Sequence, residues 1–480
     1  MNFLERRIIK ENGFEDDRSP YLRDRDRILF SRSFRRLGFK TQIITPIKKE
    51  INDHIRNRLT HSLEVLQIST SIARYINKEY KKYKLDISLC EAISLGHDIG
   101  HCPYGHIGEK AIFKFVFDEN NNEKDDKDPK NNFKGKLRHN FQSLKVCCFL
   151  EKQYYPDFYG LNLTVATLDG IFKHTKMSKE ELDEYNKIFS RYCDVFWKEN
   201  EEMSKNIDIY VLDYFKTLFE YRSPYTIEGI CVALSDEIAQ ICHDVEDLRR
   251  IGGIFCINII NDVYEEIKKK LEELISKESF EENIKKIFDE FKEAYNNSNI
   301  IKVERLYTKI IIKLALSSIS KILFKLKEDT SEDDWKELIR DYHLGSFDDL
   351  INIIEKKKVE IDEINIYILK LFEDIQNIIK NSLDDHNIAR WDVKGKDLYL
   401  ELCKYLYDIM KDQHDIFKIF PKNMRKHLKL SYKVGKKLEE DYKIGDLRFK
   451  VPIWDYLAGM TDSYIIKEYE SIIFKKVNIL

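Results

Sequence analysis

Residues 96–109 read GHDIGHCPYGHIGE, a stretch that gathers His97, Asp98, His101, His106 and Glu109 around a turn rich in glycine. The apolar run Ile87 to Leu95 leads into it, so His97 and Asp98 stand at the end of a predicted helix that the Gly/Pro-containing turn then breaks. Upstream, Leu59, Leu63, Leu66 and Ala73 recur at helical spacing and predict a helix from Arg58 to about Tyr80. Downstream, Ile230, Leu234, Ile238, Ile241 and Val245 predict another between Thr226 and Asp247. His61 lies inside the first and Asp236 inside the second. Two neutral imidazoles and two carboxylates make a mixed nitrogen and oxygen set that suits a divalent ion such as Mn²⁺, Mg²⁺, Fe²⁺ or Zn²⁺, with positions left for water and phosphate oxygens. The competing reading is that each histidine is a satisfied core residue, because the set is drawn from three distant segments.

Working outward, the whole chain has 480 residues, with 81 Lys+Arg against 84 Asp+Glu and a formal net charge of −3. That balance argues against a surface devoted throughout to nucleic acid or anionic membrane, while leaving room for a local basic patch. Hydrophobic residues at 43% are enough for a core and exclude wholesale disorder. Gly 17 and Pro 8 are scarce for this length, and long helices avoid both, so the fold class expected is all-α. The opening MNFLERRIIKENGF has charges interrupting every apolar run and forms no secretory signal, and no stretch approaches the roughly 18 apolar residues that span a bilayer. No membrane association and a cytoplasmic location are expected. The nine Cys contain no CxxC pair, and Cys147 and Cys148 are adjacent, which predicts buried free thiols rather than disulfides or a thiolate zinc site.

Residues 1–20 read as an N-terminal arm. Tyr21 to Leu37 carries Arg23, Arg25, Arg27, Arg32, Arg35 and Arg36 around Ile28, Leu29, Phe34 and Leu37, the pattern of a helix with a basic outer face. Residues 118–136 (DENNNEKDDKDPKNNFKGK) read as a solvated loop insert. Beyond Gly253 the chain turns rich in Lys, Glu and Ile, and Val263–Ser276, Ile300–Lys327 and Asp362–Ser382 predict amphipathic helices. A boundary near residue 250 separates them from the first half, where most of the twelve histidines lie.

The local sequences narrow the chemistry. RDRDRILFSRSFRRLGFKTQI (23–43), RNRLTHSLEV (56–65), GHDIGHCPYGHIGE (96–109), LRHNFQSLKV (137–146), LTVATLDGIFKH (163–174), LSDEIAQICHDVED (234–247) and DYLAGMTDSY (455–464) together resemble, in order, the deoxynucleoside triphosphate triphosphohydrolases of the HD superfamily, the dGTPase-like enzymes. The resemblance implies an HD-domain helical core over 21–250 and a large helical elaboration over 251–480, with the 455–464 motif returning to the core. It implies that His61, His97, Asp98 and Asp236 hold a divalent metal, Mn or Mg first and Fe or Zn next. It further implies hydrolysis of a dNTP at the α-phosphorus, to deoxynucleoside and tripolyphosphate, controlling dNTP pools, with dGTP the candidate preferred substrate. His106 is the first candidate for moving protons, with Glu109 three residues on to orient it. His101 and His139 match further active-site histidines. Arg58, three residues before His61 on a helix, and Lys173 match phosphate contacts; Gln42 and Asp244 match sugar contacts. Gln240 stands where the family usually has Tyr, so the side chain that would crowd a ribose 2′-hydroxyl is either replaced by one that can hydrogen-bond it or its space is filled by another aromatic. Ser463 stands where the family often has Arg, so a phosphate or interface role of that Arg is either absent or passed to Arg448 or Lys450. Relatives form dimers to hexamers and some associate with single-stranded DNA, so a homo-oligomer is expected and single-stranded DNA is a candidate partner for the basic helix. Phe30 and Phe34 fit its core stripe better than a base-stacking platform. Two other readings stand beside the dNTPase: an HD-scaffold nucleotide sensor or single-stranded DNA-binding protein without turnover, and an HD phosphohydrolase of alarmones or cyclic nucleotides.

Overall fold

The structure is a computed structural model that describes residues 3–9, 17–42, 56–117, 136–151, 159–199, 204–205, 207–251, 256–276, 282–382, 386–412 and 416–473. The loop insert expected at 118–136 lies outside the described residues apart from Lys136. In the first half the helices are α1 (Pro20–Leu29), α2 (Arg32–Arg36), α3 (Arg58–Glu79), α4 (Ile87–Gly96), α5 (His106–Phe117), α6 (His139–Lys145) and α7 (Val165–Phe172). They continue as α8 (Lys179–Cys193), α9 (Ile209–Leu218) and α10 (Ile227–Ile251). The second half adds α11 (Cys256–Ile275), α12 (Glu282–Asn296), α13 (Ile300–Glu328), α14 (Glu332–Asp341) and α15 (Phe347–Lys357). After these come α16 (Glu363–Ser382), α17 (His386–Asp412), α18 (Arg425–Tyr442), α19 (Leu447–Ala458) and α20 (Asp462–Ile473). Among the described residues β-pairing is limited to isolated bridges, Arg7 with Thr164, Ile9 with Ile207 and Thr41 with Asn57, so the fold is all-α. No helix among the described residues is long and apolar enough to cross a membrane.

Local chemistry sets the helix starts. Asn57 caps α3 through a reciprocal box with Thr60, and Asp86, Thr164 and Ser178 accept backbone N–H groups at the starts of α4, α7 and α8. The basic segment is two helices rather than one. The buried Ser31 accepts the Phe34 N–H at 3.0 Å and restarts the chain as α2, which leaves Phe30 66% exposed instead of on the core stripe; Phe34 is buried. On α3 the inward face carries Arg58, His61, Ser62, Val65, Ile68 and Ile72, and Leu63 is 48% exposed. The leucine spacing identified the helix but not its buried side, because polar residues face inward there. The five apolar positions named for α10 are all buried, and so are the eight cysteines whose side chains are described, all of them free.

α3, α4 and α10 pack against one another as the central bundle, with α1 and α7 laid on α4 and α6 on α7. α13 covers α3 and α10, while α17 and α19 pack on α5 from the other end of the chain. Residues 3–9 of the N-terminal segment are built into this body: Ile8 is fully buried, and Arg7 pairs with the buried Asp24 at 2.5 Å. Several arginines of α1 are likewise engaged internally, Arg25 with Glu91 at 2.9 Å and Arg27 with the Leu161 and Asn162 carbonyls. Arg32 and Arg35 are exposed.

The turn after α4 sits against α6 at backbone distance. Gly100 donates its N–H to Ser143 Oγ at 2.9 Å, and that hydroxyl donates to the His97 carbonyl at 2.8 Å. A Cβ at Gly100 would lie 2.0 Å from the Ser143 backbone nitrogen. Gly100→Ala must therefore push α6 away, and we expect it to lower stability in urea unfolding by ~1–3 kcal/mol, the usual cost of overpacking; an unchanged midpoint would refute the close contact.

Candidate active site

The end of α4, the turn after it, the middle of α3 and the middle of α10 bring four sequence-predicted residues together. His61 Nε2 lies 2.9 Å from Asp236 Oδ1 and 3.4 Å from His97 Nε2; His97 Nε2 lies 3.9 Å from Asp236 Oδ1 and 3.6 Å from Asp98 Oδ1. All four are buried, and His61, His97 and Asp236 offer ligand atoms close enough to share one ion. His97 Nδ1 lies 2.7 Å from the Ser94 carbonyl, which can only accept, so the proton sits on Nδ1 and the Nε2 lone pair faces the cluster. Burial opposes ionisation of Asp98, yet His101, His97 and Arg58 outweigh it and hold the carboxyl well below the usual range. Asp236 is lowered in the same way, by His61 and His97 against burial. Ionised carboxylates facing imidazole lone pairs fit a divalent cation.

Glu109 is the hub of the neighbouring cluster. Its Oε1 lies 3.0 Å from His101 Nδ1 and 3.2 Å from His139 Nδ1, and its Oε2 lies 3.0 Å from His106 Nδ1. His101 and His139 stack with ring centres 3.6 Å apart. Burial pushes His101 down to about 3 and His139 to about 4, so both rings are neutral near pH 7. His106 differs: its side chain is 70% exposed, and Glu109 raises its pKa. The group thus has a buried carboxylate, two buried neutral imidazoles and one imidazole at the surface.

Arg58 Nη1 donates to Asp98 Oδ2 at 2.9 Å and Nη2 to the Gln42 carbonyl at 3.4 Å, while its Nε has no partner. Gly105, at φ +54°, passes so near that a Cβ would lie 2.9 Å from Arg58 Nη2. Tyr104 beside it is also left-handed, at φ 64°, an uncommon conformation for an aromatic residue. Asp462, at the start of α20, holds this turn: Oδ1 accepts the Tyr104 N–H at 2.9 Å, and Oδ2 accepts the Thr41 N–H at 2.8 Å and its hydroxyl at 2.9 Å. Gln42 follows directly, with Oε1 buried and unpartnered.

Lys173 is placed differently from its expected role on phosphate. Its side chain is fully buried, Nζ lies 2.7 Å from Asp169 Oδ1, and its electrostatic neighbours are Asp169 and Glu220 rather than the site's carboxylates. Tyr214 and the Tyr225 N–H also bond Asp169, so the ammonium belongs to an internal network. Arg448 pairs with Glu439. Gln240 donates to Asp236 Oδ1 at 3.2 Å, and Asp244 lies 3.1 Å from His243 Nε2.

Two histidines escaped sequence reasoning. His243 is clamped between Asp244 and Glu64, which outweigh burial and raise its pKa to about 10; Arg56 pairs with Glu64, so this network closes on its own charges. His174 ends the LTVATLDGIFKH stretch, and its Nε2 lies 3.0 Å from His139 Nε2. Its only sequence signal was membership of the histidine-rich first half, because the spacing to His139 does not reveal that the two rings converge.

Comparison with known proteins agrees with this geometry. The HD domain family matches residues 58–241, a span that contains His61, His97, Asp98 and Asp236. A "deoxyguanosinetriphosphate triphosphohydrolase-like protein" of Wolinella succinogenes is 40% identical over 240 residues, 50% of this chain and 52% of the relative. One of Pelagibacter ubique is 34% identical over 53% of this chain and 57% of the relative, so the chain aligns with about half the length of these two. One of Rickettsia typhi is 27% identical over 96% of this chain and 93% of the relative. Over residues 58–241 the chain is thus similar to the HD domain family.

Asp462→Ala removes the acceptor for Thr41 and Tyr104 while leaving the helices intact. We expect the Tyr104 amide to exchange with deuterium at least tenfold faster at unchanged helical content; unaltered protection would show that the turn does not depend on Asp462.

Proposed function

We propose that this protein hydrolyses deoxynucleoside triphosphates at the α-phosphorus, releasing deoxynucleoside and tripolyphosphate, with dGTP the first substrate to test. The observation that carries this reading is the adjacency of the His61, His97, Asp98 and Asp236 set to a solvent-facing His106 backed by Glu109, since hydrolysis needs a cation-binding centre and a group that exchanges protons with water. A divalent ion held by those four residues, Mn or Mg in the first instance, supplies polarisation of the phosphoryl group and orientation of water. His106 donates a proton to the departing O5′, with Glu109 fixing the ring through Nδ1 so that Nε2 points outward. His101 and His139, held neutral by burial, line the phosphate-facing side. Arg58 orients Asp98 and has donor capacity left at Nε for a phosphate oxygen. Gln42 offers its unpartnered Oε1 to the sugar 3′-hydroxyl, and Asp244 lies two turns beyond Asp236 on α10 as a second sugar contact. Because the Gln240 amide is already bonded to Asp236, its Oε1 remains for a sugar hydroxyl, which predicts weaker rejection of ribonucleotides.

Incubation of the full chain with each dNTP and Mn²⁺ or Mg²⁺, followed by chromatography, is expected to yield deoxynucleoside and tripolyphosphate. Monophosphate with pyrophosphate would sink attack at the α-phosphorus with O5′ departure. His106→Ala should retain bound metal and lose ~10²–10⁴-fold in rate, the usual contribution of a general acid.

The pH profile supplies a separate check. His106 acts in its protonated form, and Glu109 raises its pKa, so activity persists above the ordinary histidine range and falls as pH rises through the raised value. Glu109→Gln removes the raising charge and should shift the falling limb of kcat/KM to lower pH; an unmoved limb would assign it to another group.

A further inference from the structure

Residues 40–42 run past the start of α3 as a short strap that ends on Gln42. Thr41 forms a bridge with Asn57, and the Lys40 carbonyl accepts the Arg58 N–H at 3.1 Å. The Lys40 side chain is 2% exposed. Its amine donates to the His101 carbonyl, in the turn after α4, and reaches the Ala458 carbonyl, at the end of α19, at 3.5 Å. The last carbonyls of a helix have no partner within it and favour a cation, so the end of α19 offers an acceptor there. Three distant segments meet at this one side chain: the strap, the His101 peptide and the C-terminus of α19.

A lysine fills that space at a cost in stability. Both of its partners are backbone carbonyls, and the oxygens of Asp462, the acid that acts on it through space, are engaged by Thr41 and Tyr104. Burial, with Arg36 and Arg58 adding repulsion, lowers its pKa to about 7. An apolar side chain of similar length would avoid the burial of a cation. It would lose direction instead, because the lysine offers an N–H to each carbonyl whether the amine is charged or neutral.

The segments so joined are those the proposed reaction needs in register. Gln42, two residues after Lys40, presents a buried and unpartnered Oε1, the proposed contact to the sugar 3′-hydroxyl. His101 stands on the phosphate side, its Nε2 3.0 Å from Asp98 Oδ1. Asp462 clasps the strap to α20 through Thr41, whereas the Lys40 amine ties it to the His101 peptide.

We propose that Lys40 is a positioning residue, which by bonding the His101 and Ala458 carbonyls sets the separation between the sugar contact at Gln42 and the phosphate side at His101. The inference rests on the reading of Gln42 as a sugar contact in dNTP hydrolysis. In this role the amine touches no part of the nucleotide and acts through the strap.

Lys40→Met keeps the length and removes the donors. In the unaltered full chain, kcat/KM for the best dNTP is expected to exceed that for its 2′,3′-dideoxy analogue by roughly tenfold, the worth of one hydrogen bond from the 3′-hydroxyl. The ratio should fall to near one in Lys40→Met, as in Gln42→Ala. Equal slowing of both substrates in Lys40→Met, with the ratio kept, is the mark of a merely structural lysine and would overturn the proposal. A ratio kept in Gln42→Ala would instead remove the sugar reading and this inference with it. A second readout needs no substrate: the Arg58 amide, bonded to the Lys40 carbonyl, should exchange with deuterium about tenfold faster in Lys40→Met at unchanged helical content. Unaltered protection there would refute the tie whatever the activity, while faster exchange in a protein that hydrolyses no dNTP would keep the tie and remove the proposed function. Should Lys40→Met fail to fold, Lys40→Gln, which keeps a donor but is too short to reach both carbonyls, is read against the same outcomes.

Discussion

Asp98 is 3% exposed and ionised, and a carboxylate taken out of water costs several kcal/mol unless its oxygens are matched by partners. Much of the surrounding architecture supplies those partners. Arg58 takes Oδ2 and is itself buried, which in turn requires Gly105 to pass without a side chain and the Gln42 carbonyl to approach. Oδ1 is left to a ring of imidazoles, and those need Glu109 to orient them from behind. One buried charge thereby bears on Arg58 at the start of α3, on the glycine of the turn and on the histidines that face it.

The second half of the chain does more than cover the bundle. Besides Asp462 at the turn, Asp455 reaches the fully buried Lys145 at 2.6 Å and also accepts from Tyr192 and Ser431. Lys145 lies over the Trp454 ring, 3.2 Å from its centre. Burial lowers the Lys145 pKa to about 8, and the Asp455 carboxylate opposes that shift. α6, which carries His139, is therefore anchored at its far end by residues more than three hundred positions away. Lys40 adds a further tie, its buried ammonium donating to the His101 carbonyl.

Much of this was legible in the sequence where local rules govern. Helix existence followed from apolar spacing, so α4, α10, α13 and α16 begin and end close to where the pattern placed them. The convergence of His61, His97, Asp98 and Asp236 was readable only because ordered motifs stood together, since spacing alone cannot bring three segments to one point. What failed were questions of facing. Leu63 turned outward because α3 directs a polar triad of Arg58, His61 and Ser62 inward, and Phe30 was expelled by the Ser31 cap. Lys173 read as a phosphate contact, but the carboxylate one helical turn before it, Asp169, is its partner. His174 carried no local signal, because the ring it meets, that of His139, is contributed by another helix.

The clasp between Asp462 and the Thr41 and Tyr104 amides joins positions 421 and 358 residues apart. Closing such separations lets a nascent chain build α3, α4 and α10 well before the left-handed turn at Tyr104 gains its anchor, and local contacts of that kind form sooner than distant ones. During synthesis His61, His97, Asp98 and Asp236 can gather before Gln42 and the Thr41 amide are secured. Final assembly of the Tyr104 turn is thus timed by the arrival of residue 462, and an incomplete chain would carry the buried histidine and carboxylate cluster without its anchored turn.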